Sequence, residues 1–165
     1  MVEKVRQRDY KILIPKDKQR ELFTENIGPC VGIAGANGKG AGFLCHVDVP
    51  CSVGDLTRAI SKLQGEEIDV HGFNIHVVTN LCGILYSLLA RPTLCWQLRA
   101  LGKKGCKVKR EIVWNPFGRV GLRVNVDTGI ITRTPVHMDW IDKADYDPEG
   151  GLLDCFKRGR KPRQD

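Results

Sequence analysis

The stretch GANGKGAG, from Gly35 to Gly42, constrains this chain more than any other. Asn37-Gly38 at its centre is a strong hairpin signal, because both residues accept the positive φ that tight turns between strands need. Short apolar runs flank it, with Val31, Ile33 and Ala34 before and Phe43 and Leu44 after. The stretch lacks the Lys-Ser/Thr ending of a phosphate loop and opens no helix, so it reads as a turn. If the runs pair as antiparallel strands, their far ends lie side by side. Cys30 opens the first run and His46 stands near the close of the second. The hairpin therefore brings a thiol and an imidazole to one rim of a sheet. A thiol nucleophile needs such a base, and a rigid element to hold both. A packing role competes with this reading, since free cysteine is among the most buried residue types.

A chain of 165 residues suits one domain with a real core. No apolar run reaches the ~20 residues of a membrane span, and the opening MVEKVRQRDYK is no signal peptide. Seven cysteines, an odd number without C-x-x-C spacing, point to a reducing compartment rather than a disulfide framework. The expected location is the cytoplasm, or delivery from a cytoplasm by a secretion system that needs no cleaved signal. Cys45, His46 and Cys51 lack the paired spacing of a zinc site, and Asp139, Asp142, Asp145 and Asp147 lack that of an EF-hand. No metal and no cofactor is expected.

Along the chain, KILIP (11–15) reads as a short strand stopped by Pro15, and 16–23 as a helical turn or loop leading to Thr24. After Pro50, Ser52 offers an N-cap with Asp55 three residues on. Leu56, Ala59, Ile60 and Leu63 then recur at helical spacing, which predicts a helix over 53–64. Residues 73–78 alternate as a strand with Phe73, Ile75 and Val77 on one face and His76 turned to solvent on the other. A second helix is expected over 81–101, kinked or split at Pro92 and stopped by Gly102. Residues 108–114 and 122–128 alternate as strands, and Asp127-Thr128-Gly129 turns the chain. FKRGRKPRQD closes it as a basic tail that carries much of the net charge of +7.

Two segments flanking the hairpin turn carry a resemblance. The chain reads T-E-N-I-G-P-C-V from Thr24 to Val31 and A-G-F-L-C-H-V-D-V-P from Ala41 to Pro50. This resembles the chemoreceptor glutamine deamidases (the CheD family) and their wider Cys-His superfamily, which includes the deamidase domain of cytotoxic necrotizing factor. The family pattern is a T-x-G-x-G-S-C-V type segment, a variable turn, then G-G-x-x-H-x-x-L-P. Thr24, Gly28, Cys30, Val31, Gly42, His46 and Pro50 match it, while Pro29, Asn26 and Val49 stand where the family has serine, glycine and leucine. Gly118-Arg119 and Thr128-Gly129 match a second family segment, whereas 79–83 lacks the usual glycine pair after the middle strand.

The resemblance implies an α/β fold, a layered sandwich of mostly antiparallel or mixed strands flanked by two or three helices. It implies a deamidase-type domain over 20–134, preceded by a strand and lead-in over 1–19 and followed by a charged extension over 135–165. It also implies the chemistry. Cys30 attacks the carboxamide carbon of a glutamine in a protein substrate, and His46 moves the proton as Thr24 orients the imidazole. An adjacent imidazolium is expected to lower the thiol pKa. Val31 or Cys30 itself supplies the N–H donor for the oxyanion, with Gly28 in support. Spacing adds Asp48, two residues after His46 on the same strand face, as a group that orients the imidazole or, by slight preference, as a polar edge residue. By alternation Cys45 faces the opposite side, toward the core. Transglutamination or another thiol-dependent hydrolysis uses the same pair, and a toxin or effector role fits as well as a housekeeping one. A reading from a different class rests on Lys103, Lys104, Lys107, Lys109 and Arg110. These basic residues, with the tail, make a non-catalytic module for an acidic protein or nucleic acid.

Overall fold

The computed structural model describes residues 2–28, 30–48, 52, 54–114 and 119–135, the side chains of 82–92 excepted. Nine strands and two helices lie among them: β1 (Val2–Lys4), β2 (Asp9–Leu13), β3 (Glu21–Ile27), β4 (Val31–Ala36), β5 (Gly42–Val47), α1 (Asp55–Gly65), β6 (Asn74–Asn80), α2 (Leu81–Lys103), β7 (Lys107–Val113), β8 (Val120–Asn125) and β9 (Ile131–Pro135). They form three layers. One sheet has the order β1-β3-β8-β9, a second has β2-β5-β4-β6-β7, and the helices cover the outer face of the second. The fold is therefore α/β, with sheets of mixed pairing.

The expected hairpin sits at the centre of the second sheet. Ala36 pairs with Gly42 and Val31 with Val47, so β4 and β5 are joined by a loop over 37–41 rather than by two residues. Gly38 and Gly40 take positive φ there, and the Asn37 side chain accepts hydrogen bonds from the N–H groups of Lys39 and Ala41. Both strands are buried along their whole length, which explains their near-continuous small and apolar composition. Their alternate residues serve two cores. Ile33, Phe43, Cys45 and Val47 pack with Leu56, Leu63, Leu98 and Leu101 of the helices. Ala34, Ala36 and Leu44 pack with Leu22, Leu122 and Val124 of the first sheet.

Several elements differ from the sequence expectation. Residues 21–23 belong to β3, so Thr24 stands inside a strand rather than after a loop. The lead-in contributes two strands, β1 parallel to β3 in one sheet and β2 antiparallel to β5 in the other. Gly54 is the N-cap of α1, and the Ser52 hydroxyl accepts the N–H of Asp48 at 2.8 Å, which ties down the end of β5. One helix runs over Leu81–Lys103, unsplit at Pro92. His76 is 6 % exposed and not solvent-facing, because the face opposite Ile75 and Val77 is covered by the first sheet. It contacts Glu111 of β7 at 3.1 Å. The readings that concerned Pro29, Val49, Pro50, Cys51, Gly118, the four aspartates over 139–147 and the basic tail fall outside the described residues. Among the described residues no helix is long and apolar enough to cross a membrane.

Candidate active site

The site forms where the layer between the two sheets reaches one end of the molecule. Gly32 is the register partner of His46, and both belong to the face that looks toward the first sheet. Continuing that register places Cys30, one residue before β4, opposite Asp48 and diagonal to His46. Diagonal neighbours lie ~7–8 Å apart along the backbone. The absence of a side chain at Gly32 matters here, since a Cβ would stand 2.3 Å from Ile27 Cδ1. The Cys30 carbonyl accepts a hydrogen bond from Thr79 Oγ1 at 3.1 Å, which fixes the backbone at the thiol.

Across the layer, Thr24 of β3 meets the imidazole. Its Oγ1 lies 2.7 Å from His46 Nδ1, and both residues are 1 % exposed. The β3–β8 ladder breaks register between Thr24 and Ile27, and Asn26 in that bulge has a φ of 58°. Asparagine is one of the few side chains that adopt the left-handed region readily. It stands where the resembled family has glycine. Arg8, at a φ of 60°, is a second strained residue at the site. A narrow cleft lined by Lys4, Val5, Arg6, Gln7, Thr24, Glu25, Asn26 and His46 leads in from solvent. Its volume of about 20 Å³ holds a water molecule and little more.

Asp48 has a different partner from the imidazole: its carboxylate accepts a hydrogen bond from Arg8 Nε. Gln7 Nε2 donates to Cys30 Sγ at 3.5 Å. Cys30 is 2 % exposed, and its thiol is pushed up to about 12 by burial first and by the Asp48 charge second. The Gln7 hydrogen bond and the Arg8 charge work in the opposite direction but do not prevail. A preformed thiolate–imidazolium pair at neutral pH is thus not what the resting geometry favours. Desolvation outweighs the stabilising contacts, and the thiol rests protonated.

Val31 is paired on both sides, with Val47 and Thr79, and its side chain belongs to the helix-side core. Cys30 stands one residue ahead of that ladder. Gly28 is buried, and a Cβ there would meet Arg119 Cγ at 3.8 Å, an ordinary van der Waals contact. Cys45 lies on the helix-side face, wholly buried, with its thiol pushed well up by burial. The basic residues Lys103, Lys104, Lys107, Lys109 and Arg110 are exposed at the end of α2 and along β7, away from the cleft-lining residues. Among the described residues no three His, Cys, Asp or Glu side chains gather as a metal would require.

Sequence reasoning missed Gln7, Arg8 and the importance of Asn26. Residues 1–10 carry no periodic pattern, and pairings with distant strands, β1 with β3 and Asp9 with His46, bring them to the thiol. Asn26 had one signal, its position in a segment that otherwise favours glycine. Comparison with protein-family models finds no match, and neither does comparison with curated proteins.

Proposed function

We propose that this protein is a cysteine-dependent deamidase that converts a glutamine side chain of a protein partner to glutamate and releases ammonia. The observation that carries this reading is the buried Thr24–His46 contact, on a strand whose register puts Cys30 one diagonal step from His46. A hydroxyl and an imidazole taken out of water at the end of an apolar layer are costly, and core packing alone gives no reason for them. Held in one orientation next to a thiol, they have a chemical one.

In this reading Nδ1–H donates to Thr24 Oγ1, the tautomer that puts the basic lone pair on Nε2. Because the Cys30 thiol rests protonated, its proton passes to His46 as the sulfur attacks the carboxamide carbon, rather than before. The Cys30 N–H stabilises the oxyanion. His46 then gives the proton to the leaving nitrogen, ammonia departs, and water hydrolyses the thioester.

Ammonia release from glutamine-containing proteins and peptides tests the reading. Cys30→Ser and His46→Ala are each expected to abolish it while leaving the circular dichroism spectrum unchanged. Full activity in either folded variant would sink the proposal. Salt-dependent binding of an acidic protein or RNA that survives Cys30→Ser, with no ammonia released by wild type, would point to the basic surface instead.

A further inference from the structure

The turn between β1 and β2 crosses from one sheet to the other over the mouth of the site, and it is pinned at both ends. Val5 is buried and its N–H donates to the Phe23 carbonyl at 2.8 Å. Arg8 donates its N–H to the His46 carbonyl at 3.0 Å and pairs with Asp48 through its guanidinium. Between these pins Arg6 and Gln7 are exposed. From this bridge Gln7 reaches down to the Cys30 sulfur, 3.5 Å from its Nε2. The carboxamide carbon lies one C–N bond, ~1.33 Å, beyond that nitrogen, and so within about 5 Å of the sulfur. The chain therefore holds a glutamine side chain of its own against the thiol.

We propose that Gln7 is a substrate in cis: Cys30 deamidates it, leaving a glutamate at position 7. The inference rests on the deamidase reading above. A tethered carboxamide has an effective concentration far beyond that of any free partner, so a competent thiol meets this glutamine first. The terminal torsion of a glutamine is soft, and the exposed side chain can turn its carbon toward the sulfur. The Cys30 sulfur bonds to Cδ, the Cδ–Nε2 bond breaks, and the thiol proton travels through His46 to the departing nitrogen as ammonia. Water then adds at Cδ, the Cδ–Sγ bond breaks, and the thiol recovers its proton. One water is consumed and one ammonia released. Exposure of Gln7 provides both the water and the way out.

Peptide mapping by mass spectrometry of the full chain, fresh and after incubation at neutral pH, tests this. Position 7 is expected to convert to glutamate in wild type, at purification or with time, while Gln19, Gln64 and Gln97 stay unchanged. Cys30→Ala is expected to keep Gln7 intact. Wild-type protein alkylated at Cys30 before incubation, a control that keeps the sequence unaltered, is expected to gain no further glutamate at position 7. Equal conversion in Cys30→Ala overturns the proposal, because it marks a spontaneous reaction. An unchanged Gln7 in a wild type that deamidates an added glutamine peptide also overturns it, and leaves the deamidase reading standing. An unchanged Gln7 together with unchanged added glutamines removes both.

Discussion

Thr24 and Asp48 divide between them two tasks that spacing alone could not apportion. Asp48 lies two residues from His46 on the same strand face, close enough in sequence to be its orienting group, yet Arg8 holds the carboxylate and Thr24 holds the ring. Removing the hydroxyl in Thr24→Val leaves buried Nδ1 without that contact, a loss of about 1–3 kcal/mol in stability. Ammonia release is expected to fall at least tenfold, with Thr24→Ser restoring most of it, as denaturant titration and a glutaminase assay on the same preparations will read. Asp48 has a separate electrostatic effect, because its charge helps to push the Cys30 thiol up while Arg8 pulls it down. Asp48→Asn removes the first influence and unpairs the second, so the thiol pKa falls from about 12. Iodoacetamide should then label Cys30 faster at pH 8 in Asp48→Asn than in wild type, with Cys95 as the reference thiol in the same tube. An unchanged ratio would mean that burial alone governs the sulfur.

Elements were legible in the sequence where a local pattern and the tertiary environment agree. The β4–β5 hairpin, α1 and the apolar face of β6 follow from turn chemistry and periodicity that the two cores then use. Thr24, Cys30 and His46 were reachable because the hairpin fixes two of them and the family-like segment the third. β1 and β3 were not legible, since their short mixed sequences VEK and ELFTENI acquire strand character only from partners far away. The same blindness misplaced His76: alternation gives its face, but not the second sheet that covers it. That burial lowers the His76 pKa below its ordinary value of 6.5, with Lys109 adding to the effect and Glu111 opposing it. The folded chain then binds fewer protons there than the unfolded one. Its stability contribution is present above pH 6.5 and is lost as pH falls through that value toward the folded pKa. Urea titrations from pH 7.5 to 5 should show that decline in wild type and a flatter profile in His76→Gln.

At the scale of the whole molecule, β4 and β5 are common property of the two apolar cores, one toward the helices and one toward the first sheet. Neither core can loosen without disturbing the strands that carry the other. Leu63→Ala on the helix side and Leu22→Ala between the sheets should each cost about 2–5 kcal/mol. Near- and far-ultraviolet circular dichroism should nevertheless report coincident transitions in both variants. A split transition in either would show the layers to be separable. The order in which the strands pair has a consequence for synthesis. β3, which brings Thr24, is flanked by β1 from the start of the chain and by β8, which closes only at Asn125. A ribosome extends the polypeptide from its N-terminus, so the Cys30 hairpin emerges long before the strand that completes the sheet over it. Until then the hairpin face that carries Ala34 and Leu44 lacks the Leu122 and Val124 wall that packs against it, and the nascent chain holds that apolar face open to its surroundings.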